Sequence, residues 1–162
     1  MQFRLFDKTV YTERRKVLQT TIGSGIIILP GNEESSMNYK DNWYPFRQDS
    51  NFLYYFGLNV ASLAAVIDTE SGETIIFGDE LTIEDIVWTG PLPSIIEMAA
   101  AVGVEKTQPY NNIITYINNA ITSGRKIHFT PPYRPENKIK LAAWLNTSVS
   151  GLKEQVSIPL IK

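Results

Sequence analysis

Few of the 162 residues have side chains that could carry out chemistry. The chain has no cysteine, which excludes a disulfide framework, a thiol nucleophile and every cysteine-ligated metal site. Its one histidine, His128, cannot build a multi-histidine metal site, and its place in a short strand favours a structural, hydrogen-bonded role. Two acidic pairs, Glu33-Glu34 and Glu84-Asp85, are more typical of solvated loops or helix starts than of a catalytic acid and base. A self-contained active site is therefore not predicted.

The most informative segment is 42–57, where Arg47, Gln48 and Asp49 lie among seven aromatic residues. Aromatic neighbours can desolvate an arginine, whose five donors then need carbonyl or carboxylate partners such as Asp49. In one interpretation, these residues form a structural anchor that pins a long loop to a sheet. In the other, the loop borders a binding site or a subunit contact.

The elements that would position this segment alternate between strands and helices. Thr12 and Ser94 are candidate N-caps, and Glu70-Ser71-Gly72 is typical of a hairpin turn. The predicted helices cover 11–21, 93–102, 111–122 and 135–145, and the predicted strands cover 25–31, 51–56, 62–69, 73–77, 104–108 and 126–130. This order predicts a single α/β domain over 1–162, with a mixed sheet (parallel strands plus an antiparallel hairpin) flanked by helices.

The formal net charge of −2 is spread unevenly along the chain. Between positions 33 and 85 there are eleven acids and two bases, and from 106 to 162 there are eight bases and two acids. Either these charges pair within one fold, or one face docks a partner of opposite charge. The bases are scattered and lack an accompanying aromatic motif, so no nucleic acid partner is expected. No membrane partner is expected either, since the longest aliphatic run is only 26–29 and the first residues lack the apolar region of a secretory signal. A cytoplasmic location is the expectation.

The sequence resembles a known family in the run Tyr44-Pro45-Phe46-Arg47-Gln48-Asp49-Ser50-Asn51-Phe52, which is followed by Tyr54 and Gly57. This run is similar to the signature of the N-terminal domain of aminopeptidase P, a domain shared by X-Pro aminopeptidases, prolidases and creatinase. Further matches in order and spacing are Arg14-Arg15 with Leu18, Ile75-Ile76-Phe77, and Ile86-Val87-Trp88-Thr89-Gly90. Phe56 departs from the pattern, because the family often has threonine or serine there.

The resemblance implies a creatinase/aminopeptidase P N-terminal-domain-like fold and a parent enzyme that hydrolyses the peptide bond before proline. In that family a separate catalytic domain holds two divalent metal ions, commonly manganese, and its ligand motifs are not found in this sequence. The chain is therefore expected to be the non-catalytic N-terminal domain, inactive alone and without catalytic or metal-binding residues. Its expected partners are the catalytic domain of the same polypeptide, proline-containing peptides, and further copies of itself in a dimer or tetramer.

The resemblance also implies roles for single residues. Tyr44, Arg47, Gln48 and Asp49 match the motif and are expected to act as a structural anchor rather than as substrate contacts. Trp88 matches a tryptophan that aminopeptidase P-like members present at the rim of a neighbouring subunit's active site, and a core role fits its sequence context equally well. Two alternatives stay open: a prolidase-like dipeptidase as the parent enzyme, and a stand-alone binding module on the same fold.

Overall fold

The computed structural model describes residues 6–40, 42–156 and 160, and for Trp88 and Thr89 it describes the backbone alone. The helices are α1 (Lys8–Ile22), α2 (Ser50–Phe56), α3 (Ile83–Thr89), α4 (Ile95–Ala101), α5 (Asn112–Thr122), α6 (Pro135–Trp144) and α7 (Leu152–Gln155). The strands are β1 (Ile26–Pro30), β2 (Ala64–Asp68), β3 (Thr74–Phe77), β4 (Lys106–Gln108) and β5 (Ile127–His128). None of the described helices is long and apolar enough to cross a membrane.

The strands form one mixed sheet in the order β4-β3-β2-β1-β5. β2 pairs antiparallel with β1 and with β3, whereas the β1–β5 and β3–β4 pairs are parallel. The predicted hairpin connects β2 and β3, and Asp68 Oδ1 shapes its turn by accepting the backbone N–H groups of Glu70 at 2.9 Å and Ser71 at 3.1 Å. The predicted α/β class, with a mixed sheet flanked by helices, is confirmed.

Helices cover both faces of the sheet, and its central strands β1 and β2 are apolar apart from Asp68 at the end of β2. Successive side chains of a strand point to opposite faces, and the run 26–29 therefore contributes to two cores. Ile27 and Leu29 pack with α1, α2 and α4 on one face. Ile26 and Ile28 pack with α5 and α6 on the other face. The continuous aliphatic run is explained by this double burial.

Segment 51–56 is helical, so the predicted second strand is wrong. Asp49 caps α2 by accepting the N–H groups of Asn51 at 2.9 Å and Phe52 at 3.2 Å. Phe52 and Phe56 then lie one turn apart on the buried side, with ring centroids 4.9 Å apart. Gly57 ends the helix in the left-handed region at φ 68°. The aromatic composition indicated a strand, but the cap and the four-residue spacing of the buried rings outweigh that preference.

The other predicted elements exist with shifted ends. α1 begins at Lys8 because Asp7, not Thr12, is its N-cap, and the Thr12 hydroxyl donates to Lys8 O inside the helix. Ser94 is confirmed as the N-cap of α4, where it forms a capping box with Glu97. The strands predicted over 104–108 and 126–130 are shorter, at three and two residues.

Candidate functional site

Gln48 is the buried centre of the motif-bearing loop. Its side chain is 0% exposed, and its Oε1 accepts the backbone N–H groups of Asn32 at 2.5 Å and Asp49 at 2.9 Å. Its Nε2 donates to the carbonyl oxygen of Val60 at 2.7 Å. One side chain thus ties together the end of β1, the start of α2 and the segment before β2, and these are the contacts of a structural anchor.

Arg47 is exposed, and the expectation that aromatic neighbours desolvate it is wrong. Neighbouring side chains of a non-helical segment point in opposite directions, so the burial of Gln48 turns Arg47 towards solvent. The guanidinium donates to Ser50 Oγ at 3.2 Å, while the Arg47 carbonyl oxygen accepts Asn32 Nδ2 at 3.0 Å. Arg47 therefore contributes to the loop through its backbone and presents its charge at the surface.

The remaining two motif residues divide between backbone pairing and capping. The Tyr44 side chain is exposed, and its backbone N–H donates to Ser35 O at 2.9 Å beside the bridge between Ser36 and Trp43. Asp49 is the α2 N-cap described above. Within the motif, the inward-facing polar side chain is Gln48 and the outward-facing ones are Tyr44 and Arg47.

Two buried asparagines that support this loop were not identified from the sequence. Asn32 and Asn137 are both buried, and Asn137 Nδ2 donates to Asn32 Oδ1 at 2.9 Å. Asn32 directly follows the Pro-Gly end of β1, and a polar residue at the end of a buried strand is a signal that could have identified it. Its partner lies 105 positions away, and no local pattern indicates that pairing.

Glu33 stands in a second polar cluster and is not half of a catalytic pair. Its carboxylate accepts the Ser62 hydroxyl at 2.5 Å and the Tyr110 hydroxyl at 3.3 Å, and it forms an ion pair with Lys140. Burial alone would raise the pKa of this carboxyl, but the hydrogen bonds from Lys140 and Ser62 outweigh that effect and lower it. Glu34 is exposed and takes no part in the cluster. Glu33 is therefore a charged, structural acid at neutral pH.

His128 is confirmed as a structural, hydrogen-bonded histidine. It lies in β5, beside β1, and its ring nitrogen Nε2 is 2.8 Å from the carbonyl oxygen of Ser24. A carbonyl can only accept, so this nitrogen carries the proton. The ring is half-buried in the strand edge.

The charges of the two halves of the sequence pair within the fold. All four ion pairs among the described residues join an acid from 33–85 to a base from 106–162. The most buried of these is Arg125 with Asp68, where two guanidinium nitrogens meet two carboxylate oxygens at 2.7 and 2.8 Å. The internal-pairing interpretation of the uneven charge is therefore confirmed for these residues.

Helix α3 carries an exposed apolar surface, which we call the α3 surface and define by Ile83, Ile86 and Val87. Ile83 is 83% exposed and Val87 is 76% exposed. Glu84 and Asp85 lie in the first turn of this helix, as expected for helix-start charges, and Asp85 forms a capping box with Thr82. Trp88 lies in the last turn, but its side chain is outside the described residues, so its core and rim interpretations both stay predictions.

A comparison with protein families finds that a family model described as "Aminopeptidase P, N-terminal domain" matches residues 11–128. This match names the same family as the resemblance found in the sequence. The chain belongs to this family of aminopeptidase P N-terminal domains.

Relatives and solved structures agree with this assignment. A probable Xaa-Pro aminopeptidase of Sordaria macrospora is 24% identical over 138 residues, which are 83% of this chain and 29% of that protein. The Xaa-Pro dipeptidase of Homo sapiens is 25% identical over 107 residues, 66% of this chain and 22% of its own length. The aminopeptidase PepP of Pseudomonas aeruginosa has a TM-score of 0.76 at 22% identity, covering 99% of this chain and 38% of that one. The low-pH form of Escherichia coli aminopeptidase P has a TM-score of 0.73 at 16% identity, covering 94% and 36%. This chain therefore spans under a third of these two relatives and under two fifths of these two structures.

Proposed function

We propose that this chain is the non-catalytic N-terminal domain of a metal-dependent X-Pro aminopeptidase. The observation that carries the proposal is the family match over residues 11–128, in a chain that covers only 29% of a probable Xaa-Pro aminopeptidase. The rest of such a polypeptide has room for a separate catalytic domain that hydrolyses the bond before proline. This domain would then act on proline-containing peptides only through that catalytic partner.

The metal ions of the proposed enzyme, with manganese as their proposed identity, would be held outside this chain. Among the described residues, no three histidine, cysteine, aspartate or glutamate side chains come together as ligands. Two partly buried carboxylates of the described chain are already neutralised, Asp68 by Arg125 and Glu33 by Lys140. The donor set of the described chain does not fit a pair of divalent metal ions.

The α3 surface is the proposed site of oligomer contacts, and Trp88 is proposed to lie at the rim of a neighbouring subunit's active site. The support is the exposure of Ile83 and Val87, which lie one helical turn apart on the same side of α3. Large apolar side chains that lie together at a surface mark interaction sites more often than isolated ones do. A dimer or tetramer would bury them and bring the end of α3 towards a second subunit.

The first experiment separates this domain from the catalytic function. The 162-residue chain, purified and supplied with Mn²⁺, should not hydrolyse X-Pro peptides and should not bind the metal stoichiometrically in calorimetry. A longer polypeptide, in which this chain is joined to a catalytic domain, should hydrolyse X-Pro peptides. Turnover by the chain alone would refute the proposal, and a polypeptide without such a domain would favour the stand-alone binding module. Cell fractionation of the parent polypeptide checks the proposed cytoplasmic location.

The second experiment tests the roles of α3 and Trp88 in the parent enzyme. We expect V87S to weaken the oligomer in sedimentation, whereas I139S, at another exposed apolar position on α6, should not. We expect W88A to raise KM or lower kcat/KM, because an aromatic wall orients the peptide without touching the metals. In the isolated chain, W88A should cost much less than the 3–5 kcal/mol or so that is typical of a core tryptophan. A strongly destabilised fragment would place Trp88 in the core.

The dipeptidase alternative is favoured by one comparison, the similarity to the human Xaa-Pro dipeptidase over 66% of this chain. The two enzymes differ in whether the substrate continues beyond proline. Turnover of an X-Pro dipeptide and of an X-Pro tripeptide by the parent enzyme decides between them. Faster hydrolysis of the tripeptide supports the aminopeptidase, and activity restricted to the dipeptide supports the dipeptidase.

A further inference from the structure

A crevice lies where two neighbouring parallel strands end. β1 and β5 run side by side in parallel, and the helices that follow them pack on opposite faces of the sheet. After β1 it leads to α2, whose Phe52 and Phe56 pack on one face of the sheet. After β5 it leads to α6, whose Leu141 and Trp144 pack on the other face. In open α/β sheets, such a divergence leaves a crevice outside the carboxyl ends of the strands, where ligands bind.

The structure has a crevice at this point, with a volume of about 410 Å³. Its walls come from the two diverging connections, with Arg47 and Asn51 from the first and Tyr133 and Arg134 from the second. Asn32, which is buried, contributes to its lining between them. Every lining residue except Pro131 carries a polar side-chain group, and two of these groups are guanidinium ions.

These two arginines carry charge that the described part of the chain does not neutralise. Neither Arg47 nor Arg134 belongs to any of the ion pairs found among the described residues. Arg134 Nη1 donates to the carbonyl oxygen of Glu33 at 3.2 Å, and Arg47 Nη2 donates to Ser50 Oγ at 3.2 Å. A guanidinium has five N–H donors, so both retain donors for a ligand. The one acid of the lining, Asp49, already uses Oδ1 to cap α2, and the lining keeps a net positive charge.

The backbone of Arg47 is fixed by a hydrogen bond from a buried asparagine. Asn32 Nδ2 donates to the carbonyl oxygen of Arg47 at 3.0 Å, and Asn137 donates in turn to Asn32. Gln48, fully buried, fixes the next residue. Such support reduces the conformational entropy that is lost when a ligand is bound.

We infer that this crevice binds a small oxyanion, a carboxylate or a phosphate group, between Arg47 and Arg134. Planar guanidinium groups bind both kinds of anion through paired N–H donors. Asn51 and Tyr133 add neutral polar groups to the same walls. The inference does not depend on the proposed aminopeptidase function, because it concerns residues of this chain alone.

The test is a titration of the ¹⁵N-labelled 162-residue chain, followed by amide chemical shifts at constant ionic strength. Succinate is the carboxylate probe, and inorganic phosphate is the phosphate probe. We expect saturable shifts confined to the two connections, 31–35 with 47–51 and 130–134, with a roughly millimolar dissociation constant. Saturation by only one probe identifies the class of anion, and saturation by both shows a site for either.

Three charge-removing variants make the test specific. R47Q and R134Q should each weaken binding at least about tenfold, the loss expected for a charge-assisted contact. K138Q removes the same charge from an exposed position of α6 and should bind within about twofold of wild type. Melting curves confirm that each variant is folded, and R134K, which keeps the charge, should recover part of the affinity. Linear, non-saturating shifts with both probes, or unchanged binding by R47Q and R134Q, would overturn the inference.

Discussion

Arg15 is the buried arginine of this fold, and its removal should be among the most damaging single changes. The side chain is 3% exposed and has no carboxylate partner among the described residues. Its Nη1 donates to Tyr55 O at 2.9 Å, and its Nη2 donates to Val102 O at 2.8 Å and Gly103 O at 3.0 Å. Its charge lies over the ring of Phe56, 5.2 Å from the centroid. One guanidinium thus joins α1 to the C-terminal ends of α2 and α4.

The cost of Arg15→Ala follows from the groups that it leaves behind. Three carbonyl oxygens lose a charged donor, and each buried acceptor without a partner costs about 1–3 kcal/mol. Solvent will reach some of them, so we expect a total loss of about 3–5 kcal/mol in the free energy of unfolding. That is a large share of the 5–15 kcal/mol or so that is typical of a domain. Burial lowers the pKa of Arg15 to about 10, so the side chain is still charged at neutral pH.

Urea denaturation of four proteins tests this estimate. Arg15→Lys should recover less than half of the loss, because one ammonium group cannot reach acceptors on two different helices. Arg14→Ala is the matched control, since the neighbouring arginine stacks on Tyr54 at the surface and should cost no more than about 1 kcal/mol. If Arg15→Ala and Arg14→Ala unfold at the same urea concentration, the bridging role of Arg15 is refuted.

Further stability predictions concern Asp68, Gln48 and Arg47. Hydrogen bonds from Arg125 hold the pKa of Asp68 well below its ordinary value of 3.8, so the unfolded chain takes up the proton first as the pH falls. We expect Asp68→Asn to lower the free energy of unfolding at pH 7 by about 1.5–3 kcal/mol, with the difference from wild type shrinking below about pH 4; a constant difference down to pH 2 would contradict the assignment. Gln48→Ala leaves two N–H groups and one carbonyl without their partner and should cost at least about 3 kcal/mol. For Arg47→Ala we expect a free energy of unfolding within about 0.5 kcal/mol of wild type. If Arg47→Ala lowers the urea midpoint more than Gln48→Ala does, Arg47 rather than Gln48 is the anchor.

The sequence predicted the sheet well because its signals are local. The run 26–29 and the turn at Glu70-Ser71-Gly72 each specify an element through neighbouring residues. The N-cap of α4 is likewise visible in the spacing of Ser94 and Glu97. Such patterns specify the type of an element more firmly than its ends, and β5 is accordingly shorter than predicted.

The buried polar contacts could not be predicted, because each joins distant parts of the chain. Arg15 meets carbonyls 40, 87 and 88 positions away, and Asn137 meets Asn32 across 105 positions. The motif Arg47-Gln48 shows the same limit at short range. Both residues are polar, and only the direction of the loop decides that the amide is buried and the guanidinium exposed. Residue type alone led to the wrong prediction that the guanidinium of Arg47 is the desolvated group.

The incorrect strand prediction for 51–56 bears directly on the inferred anion site. The divergence of the two connections depends on a helix in this segment, because that helix packs on the face of the sheet opposite α6. The carboxylate of Asp49 instead starts a helix, and Phe52 and Phe56 draw that helix onto one face of the sheet. α6 packs on the opposite face, so the connections separate at the ends of β1 and β5 and leave the crevice between them. The cap at Asp49 therefore helps to place Arg47 in the same crevice as Arg134, through the helix that it starts.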